Sequence, residues 1–368
     1  MSRGFWRANA WRVPLAAWVL SRAVGVLGLV VTPTPEGHWF TSAGLTTMDG
    51  NWFSIIAQIG YPNDASGNLS PAWAFFPFFP WLADLPTRLG VSIDLSLVAV
   101  SWLAALAALV GLWRLVASRF SERAAALAVG LVALQPGAIG LVLSYADSLF
   151  LAAAVWVFVL VDEMAPRAAG SPARNQPTLL RWCGVGVLAA AATASRPNGF
   201  LIVVVVLVAL WQFDRRVTAA ALVALPSAAF LSAWMFYCWR KSGDPLVFLS
   251  AKGNWDEWSL WRFVTHPFAR SAQQVHVATW ALMTAIAVPS LRRLPLWWNL
   301  SIVLLVVPQL VLGVEGLARY VELAFPLSIA AALTLEKRRL WIQALALCVA
   351  ATSMLYLAVR VSRYGWVP

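Results

Sequence analysis

The 368-residue chain is 61% hydrophobic and 12% charged, with a mean hydropathy of +0.73, where a soluble domain carries about 25% charge. Its apolar runs leave no room for a large soluble domain, and 1–368 reads as a single integral membrane domain. The 27 Lys and Arg against 16 Asp and Glu give a net charge of +11, but the positives fall mostly in short tracts between apolar runs, the pattern of membrane anchoring and not of nucleic-acid binding.

From the N-terminus, Arg3, Arg7 and Arg12 precede a long apolar run without a small-residue cleavage site, which predicts a retained first helix. Apolar runs long enough to cross a bilayer predict eleven spans, at about 12–32, 94–116, 122–143, 146–162, 180–194, 199–213, 217–238, 273–290, 295–313, 317–335 and 340–359. The first two are separated by a long loop, 33–93, in which Pro77, Pro80 and Pro86 break an aromatic stretch into an interfacial or re-entrant piece. A second long loop covers 239–272. With the N-terminus inside, six cytoplasmic segments carry sixteen basic residues, whereas 33–72 has none and holds Glu36, Asp49 and Asp64. The fold class expected is therefore all-α and polytopic, with both long loops outside the cell membrane.

Nucleotide-binding and zinc-protease motifs are absent, and Cys183, Cys238 and Cys348 form no CxxC pair; no metal and no cofactor are expected. Candidate chemistry lies on the outer side. Asp49 is a general-base candidate, or a helix cap or solvated loop acid. Asp147, beside Tyr145, reads either as a helix cap or as a site wall. Arg196 and Asn198 occupy a proline-interrupted turn between two short spans, where an arginine either holds a lipid phosphate or snorkels. Arg319 and Tyr320 open the tenth span, with Glu322 spaced to pair with Arg319. Arg22 lies within the first span and is a functional candidate because charge there is costly. Trp52, Lys252 and Trp255 complete the set; His38 and His276 receive no role.

In order along the chain, Ser21-Arg22, Asp49-Gly50-Asn51-Trp52-Phe53 with Gly60-Tyr61, Ala74-Phe75-Phe76-Pro77-Phe78-Phe79-Pro80, Ser144-Tyr145-Ala146-Asp147-Ser148-Leu149-Phe150, Ala194-Ser195-Arg196-Pro197-Asn198-Gly199, Gly243-Asp244-Pro245 with Lys252 and Trp255, and Arg319-Tyr320 with Phe325-Pro326-Leu327 resemble the motifs of the glycosylphosphatidylinositol second-mannose transferases and their bacterial relatives. Met48 stands where that family has Trp, and Asp147 where it has Glu. The resemblance implies a GT-C glycosyltransferase that takes a sugar, mannose in that family, from a polyprenyl-phosphate donor and inverts the anomeric centre. It places the base at Asp49. The donor phosphate is then expected on Arg196, Arg319, Lys252 and Arg22, and the substrates on Asp147, Tyr145, Asn198, Trp52, Trp255 and Tyr320. The acceptor is expected to be a glycolipid or other envelope component. The rival expectation is a transporter or flippase of lipid-linked sugars or phospholipid-like anions, which needs the arginines but no base.

Overall fold

The computed structural model describes residues 10–31, 44–62, 70–166, 176–254, 259–266 and 271–364. Arg3, Arg7, Glu36, His38, Asp64, Arg167, Arg174, Trp255 and Arg270 lie outside the described residues. Among those described, every regular element is helical.

The first half contains α1 (Arg12–Val30), α2 (Asp49–Ile59), α3 (Phe78–Thr87), α4 (Ile93–Arg119), α5 (Glu122–Leu134), α6 (Ile139–Val142), α7 (Asp147–Met164) and α8 (Leu179–Ser195). The second contains α9 (Leu201–Phe213), α10 (Val217–Ser242), α11 (Val247–Ser250), α12 (Leu260–Thr265), α13 (Ser271–Leu291), α14 (Leu296–Leu312), α15 (Leu317–Leu323), α16 (Phe325–Leu335) and α17 (Leu340–Tyr364). Single 3₁₀ turns fall at Pro71–Ala74, Pro136–Ala138, Pro197–Phe200 and Ala251–Asn254. Helix starts follow local chemistry: Ser92, Ser121 and Thr178 accept from the backbone N–H groups of Leu95, Ala124 and Arg181.

Each expected apolar run is a helix or a helix pair, and two of them are not straight. The run 122–143 bends by 61° between Leu134 and Pro136, and 317–335 bends by 76° between Leu323 and Phe325. Proline disfavours helix in the residue before it, and Gln135 is extended ahead of Pro136. Five helices are long and apolar enough to cross a membrane, or up to seven with each bent pair taken as one span; Leu179–Ser195, Pro197–Phe213 and Leu296–Leu312 are shorter apolar helices. The chain is a multi-pass membrane protein.

The core lies where α4, α5, α7 and α16 meet. Ala104, Ala105 and Ala108 of α4 and Ala124, Ala125 and Ala128 of α5 are buried there, small side chains that let helices approach closely in a bilayer. At one end of this core, Arg114 pairs with Glu163, Arg119 with Asp162 and Arg293 with Glu336. The 18 residues of α7 carry the chain about 27 Å from there, at 1.5 Å per residue, to Asp147, where a second group of charges gathers.

Candidate active site

The site begins with two carboxylates at helix starts. Asp49 is the first residue of α2 and Asp147 the first of α7, and neither side chain caps its helix. Ser144 joins the two segments: its backbone N–H and its hydroxyl both donate to Leu45 O, at 2.8 and 2.9 Å. Met48, just before Asp49, has φ 54° and ψ −116°, a left-handed conformation that a side-chain-bearing residue holds only when its surroundings enforce it.

Arg319, from α15, spans the two carboxylates. Its Nε donates to Asp147 Oδ2 at 2.8 Å and its Nη1 to Asp49 Oδ2 at 3.0 Å. Arg196, in the break between α8 and the Pro197–Phe200 turn, pairs with Asp147 Oδ1. Both oxygens of Asp147 are thus held by guanidinium groups, and its side chain is 1% exposed. Asp49 is 22% exposed, and the described residues give its Oδ1 no hydrogen-bond partner. Arg319 does not pair with Glu322, one turn along; Glu322 is buried, and its Oε1 has no partner among the described residues.

Aromatic faces hold both guanidinium groups. Arg319 lies 4.6 Å from the Tyr145 ring centroid and Arg196 5.2 Å from that of Tyr320. Burial raises the Tyr145 phenol well above its ordinary range, with the Asp49 charge adding to the effect, so this ring acts as a neutral face and not as an acid.

Asp49, Asp147, Arg196, Arg319 and Tyr320 line a cavity of about 90 Å³ together with Lys252, Asn198, Ser195, Phe53, Phe75 and Phe76, room for a few water molecules; Tyr145 stands behind Arg319. The phenylalanine wall is built by edge-on contacts of Phe53 with Phe75 and Phe79 at 5.0 and 4.9 Å. Behind it, Tyr61 donates to Phe75 O at 2.7 Å and stacks on Trp73, tying the first long loop to Trp234 of α10.

The structure therefore brings Asp49, Asp147, Tyr145, Arg196, Asn198, Arg319, Tyr320 and Lys252 together. It leaves two sequence candidates apart. Trp52 packs at the edge of the Tyr61–Trp234 cluster. Arg22 does not line the cavity; its Nη2 donates to Leu141 O at 2.6 Å. Trp255 falls outside the described residues. Sequence reasoning did not single out Gly140, where a Cβ would stand 2.8 Å from Asp147 Oδ2, or Gly137, where it would stand 2.2 Å from Ala318 O. A glycine pair just after a proline break was the available signal.

No protein-family model and no curated protein matches the chain, whereas solved structures do. ArnT from Cupriavidus metallidurans, bound to undecaprenyl phosphate, superposes with a TM-score of 0.60 at 14% identity, covering 94% of this chain and 64% of that one. The Archaeoglobus fulgidus oligosaccharyltransferase tethered with an acceptor peptide gives 0.57 at 15% identity, covering 100% of this chain and 56% of that one. The same organism's AglB, in complex with an inhibitory peptide and a dolichol-phosphate, gives 0.53 at 14% identity, covering 96% and 56%. The chain has the GT-C fold. It spans less than two thirds of the length of these neighbours. Within the GT-C fold, the Asp49–Arg319–Asp147–Arg196 array sits at the end of the bundle opposite the Arg114–Glu163 and Arg119–Asp162 pairs.

Proposed function

We propose that this protein is an inverting glycosyltransferase that moves a sugar, mannose, from a polyprenyl-phosphate donor to an acceptor hydroxyl, with Asp49 as general base. The observation that carries this reading is the inequality of the two carboxylates on Arg319. Asp147 has both oxygens engaged by guanidinium groups, whereas Asp49 keeps Oδ1 open beside the cavity. A base must have a free lone pair within reach of the proton it takes; Asp147 serves instead to fix Arg196 and Arg319.

In this mechanism the acceptor oxygen loses its proton to Asp49 as it attacks the anomeric carbon. The bond to the phosphate oxygen breaks, and its electron pair leaves with the lipid phosphate. The cavity lining carries two carboxylates and three cations, Arg196, Lys252 and Arg319, so one positive charge remains to meet the phosphate and stabilise the charge growing on it. The leaving group departs as an anion and needs no strong general acid. The small cavity must widen to admit the sugar, and Lys252, on a short 3₁₀ turn, closes one wall.

The fold neighbours bound to undecaprenyl phosphate and dolichol-phosphate support a polyprenyl donor. The distribution of basic residues supports a site on the outer face of the cell membrane, where the acceptor would be a glycolipid or other envelope component. A flippase of lipid-linked sugars would need the cations but no open carboxylate.

The test is transfer by the purified protein from labelled polyprenyl-phosphate mannose to membrane glycolipid, resolved chromatographically. Wild-type protein is expected to transfer, and Asp49→Asn to lose on the order of 10²–10⁴-fold in rate while still binding donor. Full activity in Asp49→Asn removes Asp49 from the mechanism.

A further inference from the structure

We infer that Arg22, together with Trp102 and Ser101, is a positioning device that fixes the turn bearing Asp147, and is not a ligand for the donor phosphate. The inference rests on the site reading above, but its geometry is independent of it.

The helix α6 is four residues long, bent away from α5, and followed at once by the turn that leads to Asp147. The last carbonyls of any helix lack partners within it, and no water is available to them in the hydrocarbon region. Here three consecutive carbonyls each receive one side-chain donor. Arg22 Nη2 donates to Leu141 O at 2.6 Å, Trp102 Nε1 to Val142 O at 2.8 Å, and Ser101 Oγ to Leu143 O at 2.9 Å. Ser101 Oγ also lies 3.0 Å from Ser148 Oγ, one residue beyond Asp147.

The donors are themselves held. The Arg22 guanidinium lies 5.2 Å from the Trp18 ring centroid and 5.9 Å from that of Trp102, and Trp18 Nε1 donates to Trp102 O at 2.8 Å. Arg22 is 5% exposed and is absent from the cavity wall. A charge this costly within a span is committed to a backbone carbonyl six residues before Asp147, and Asp147 in turn holds Arg196 and Arg319. Its effect on transfer is therefore exerted through the carboxylate that orients both phosphate-binding cations.

The experiment compares Arg22→Met, Arg22→Lys, Trp102→Phe, Ser101→Ala and the double variant Arg22→Met/Trp102→Phe by sugar-transfer kinetics and by hydrogen–deuterium exchange of the whole protein in detergent. The expected result for Arg22→Met is a kcat lower by on the order of 10²-fold, a donor KM changed by less than about threefold, and faster exchange over residues 141–148. Arg22→Lys recovers part of the rate. The double variant is no worse than its poorer parent, because both act on one turn. A donor KM raised by about tenfold or more with kcat retained, and unchanged exchange over 141–148, overturns the inference and makes Arg22 a phosphate ligand. If Arg22→Met does not fold, exchange in Trp102→Phe and Ser101→Ala decides: protection retained over 141–148 in both overturns it. If the wild-type protein transfers no sugar, the proposed function fails, and the exchange arm still decides whether these side chains hold the turn.

Discussion

Two aspartates share one arginine, and their surroundings separate their roles. Asp147 compensates two buried guanidinium groups, so Asp147→Asn leaves both without their shared counter-charge. Breaking a buried ion pair from one side costs about 3–5 kcal/mol, and the variant is expected to show a lowered thermal midpoint and reduced expression as well as lost transfer. Asp49→Asn removes one partner from an Arg319 that keeps Asp147, and the position is partly open, so its stability cost is expected to stay under about 1 kcal/mol. The pair of variants thus separates two kinds of inactivity. Thermal unfolding of both in one detergent checks it: equal losses of stability would mean that Asp49 is as structural as Asp147. At this scale the sequence supplied the residue types and not their pairings. It offered helix caps for both aspartates, and both carboxylates went to arginines instead. It offered Glu322 to Arg319 because one helical turn separates them, whereas the actual partners lie 172 and 270 residues away. Pairings of that separation have no local signature.

Helix ends decide how closely the site closes. The α5–α6 break brings Gly137 against the backbone of Ala318 and Gly140 against Asp147, and each contact admits no Cβ without movement. Gly140→Ala improves intrinsic helix propensity yet pushes a methyl group toward Asp147 Oδ2. Transfer is expected to fall by on the order of 10²-fold, the scale of a 1 Å misplacement, with the fold retained. Gly137→Ala would meet a backbone carbonyl at 2.2 Å, which cannot rotate away as a side chain can, and overpacking of this kind costs about 1–3 kcal/mol. Activity and thermal midpoint of the two variants give the check; a fully active Gly140→Ala would show that the Asp147 pocket yields to an added methyl group. The helices themselves were legible, because a long apolar run between charged tracts has few other solutions. The expected 94–116 became Ile93–Arg119, and 180–194 became Leu179–Ser195. The bends were missed: 122–143 and 317–335 were each expected as one span, although Pro136 and Pro326 stand just past the two breaks. The three side-chain donors to the carbonyls at the end of α6 were not legible, since a backbone carbonyl acceptor leaves no mark in a sequence.

At the scale of the described bundle, two groups of ion pairs lie about 27 Å apart along α7, one at the cavity and the other clamping helix termini. Asp214, in the turn between α9 and α10, shows what the second end does. It accepts from Arg216 at 2.6 Å and from Trp182 Nε1 of α8 at 2.9 Å, and Arg216 reaches on to Pro177 O at 2.8 Å. The start of α10 is thereby tied to the start of α8. The hydrogen bond from Arg216 holds the Asp214 carboxyl below its usual range. A carboxyl with a depressed folded-state pKa adds stability that is present above its unfolded value, about 3.9, and is lost as pH falls through the folded value. Asp214→Asn should therefore lower the thermal midpoint by a constant margin at pH 5–7, and the gap to wild type should close as pH falls below about 4. Transfer at pH 7 should be unchanged, because Asp214 is at the end of the bundle away from the cavity. A gap that stays open at low pH would mean that the carboxyl acts through packing and not charge, and a loss of transfer would couple the two ends through α8, whose far terminus carries Arg196.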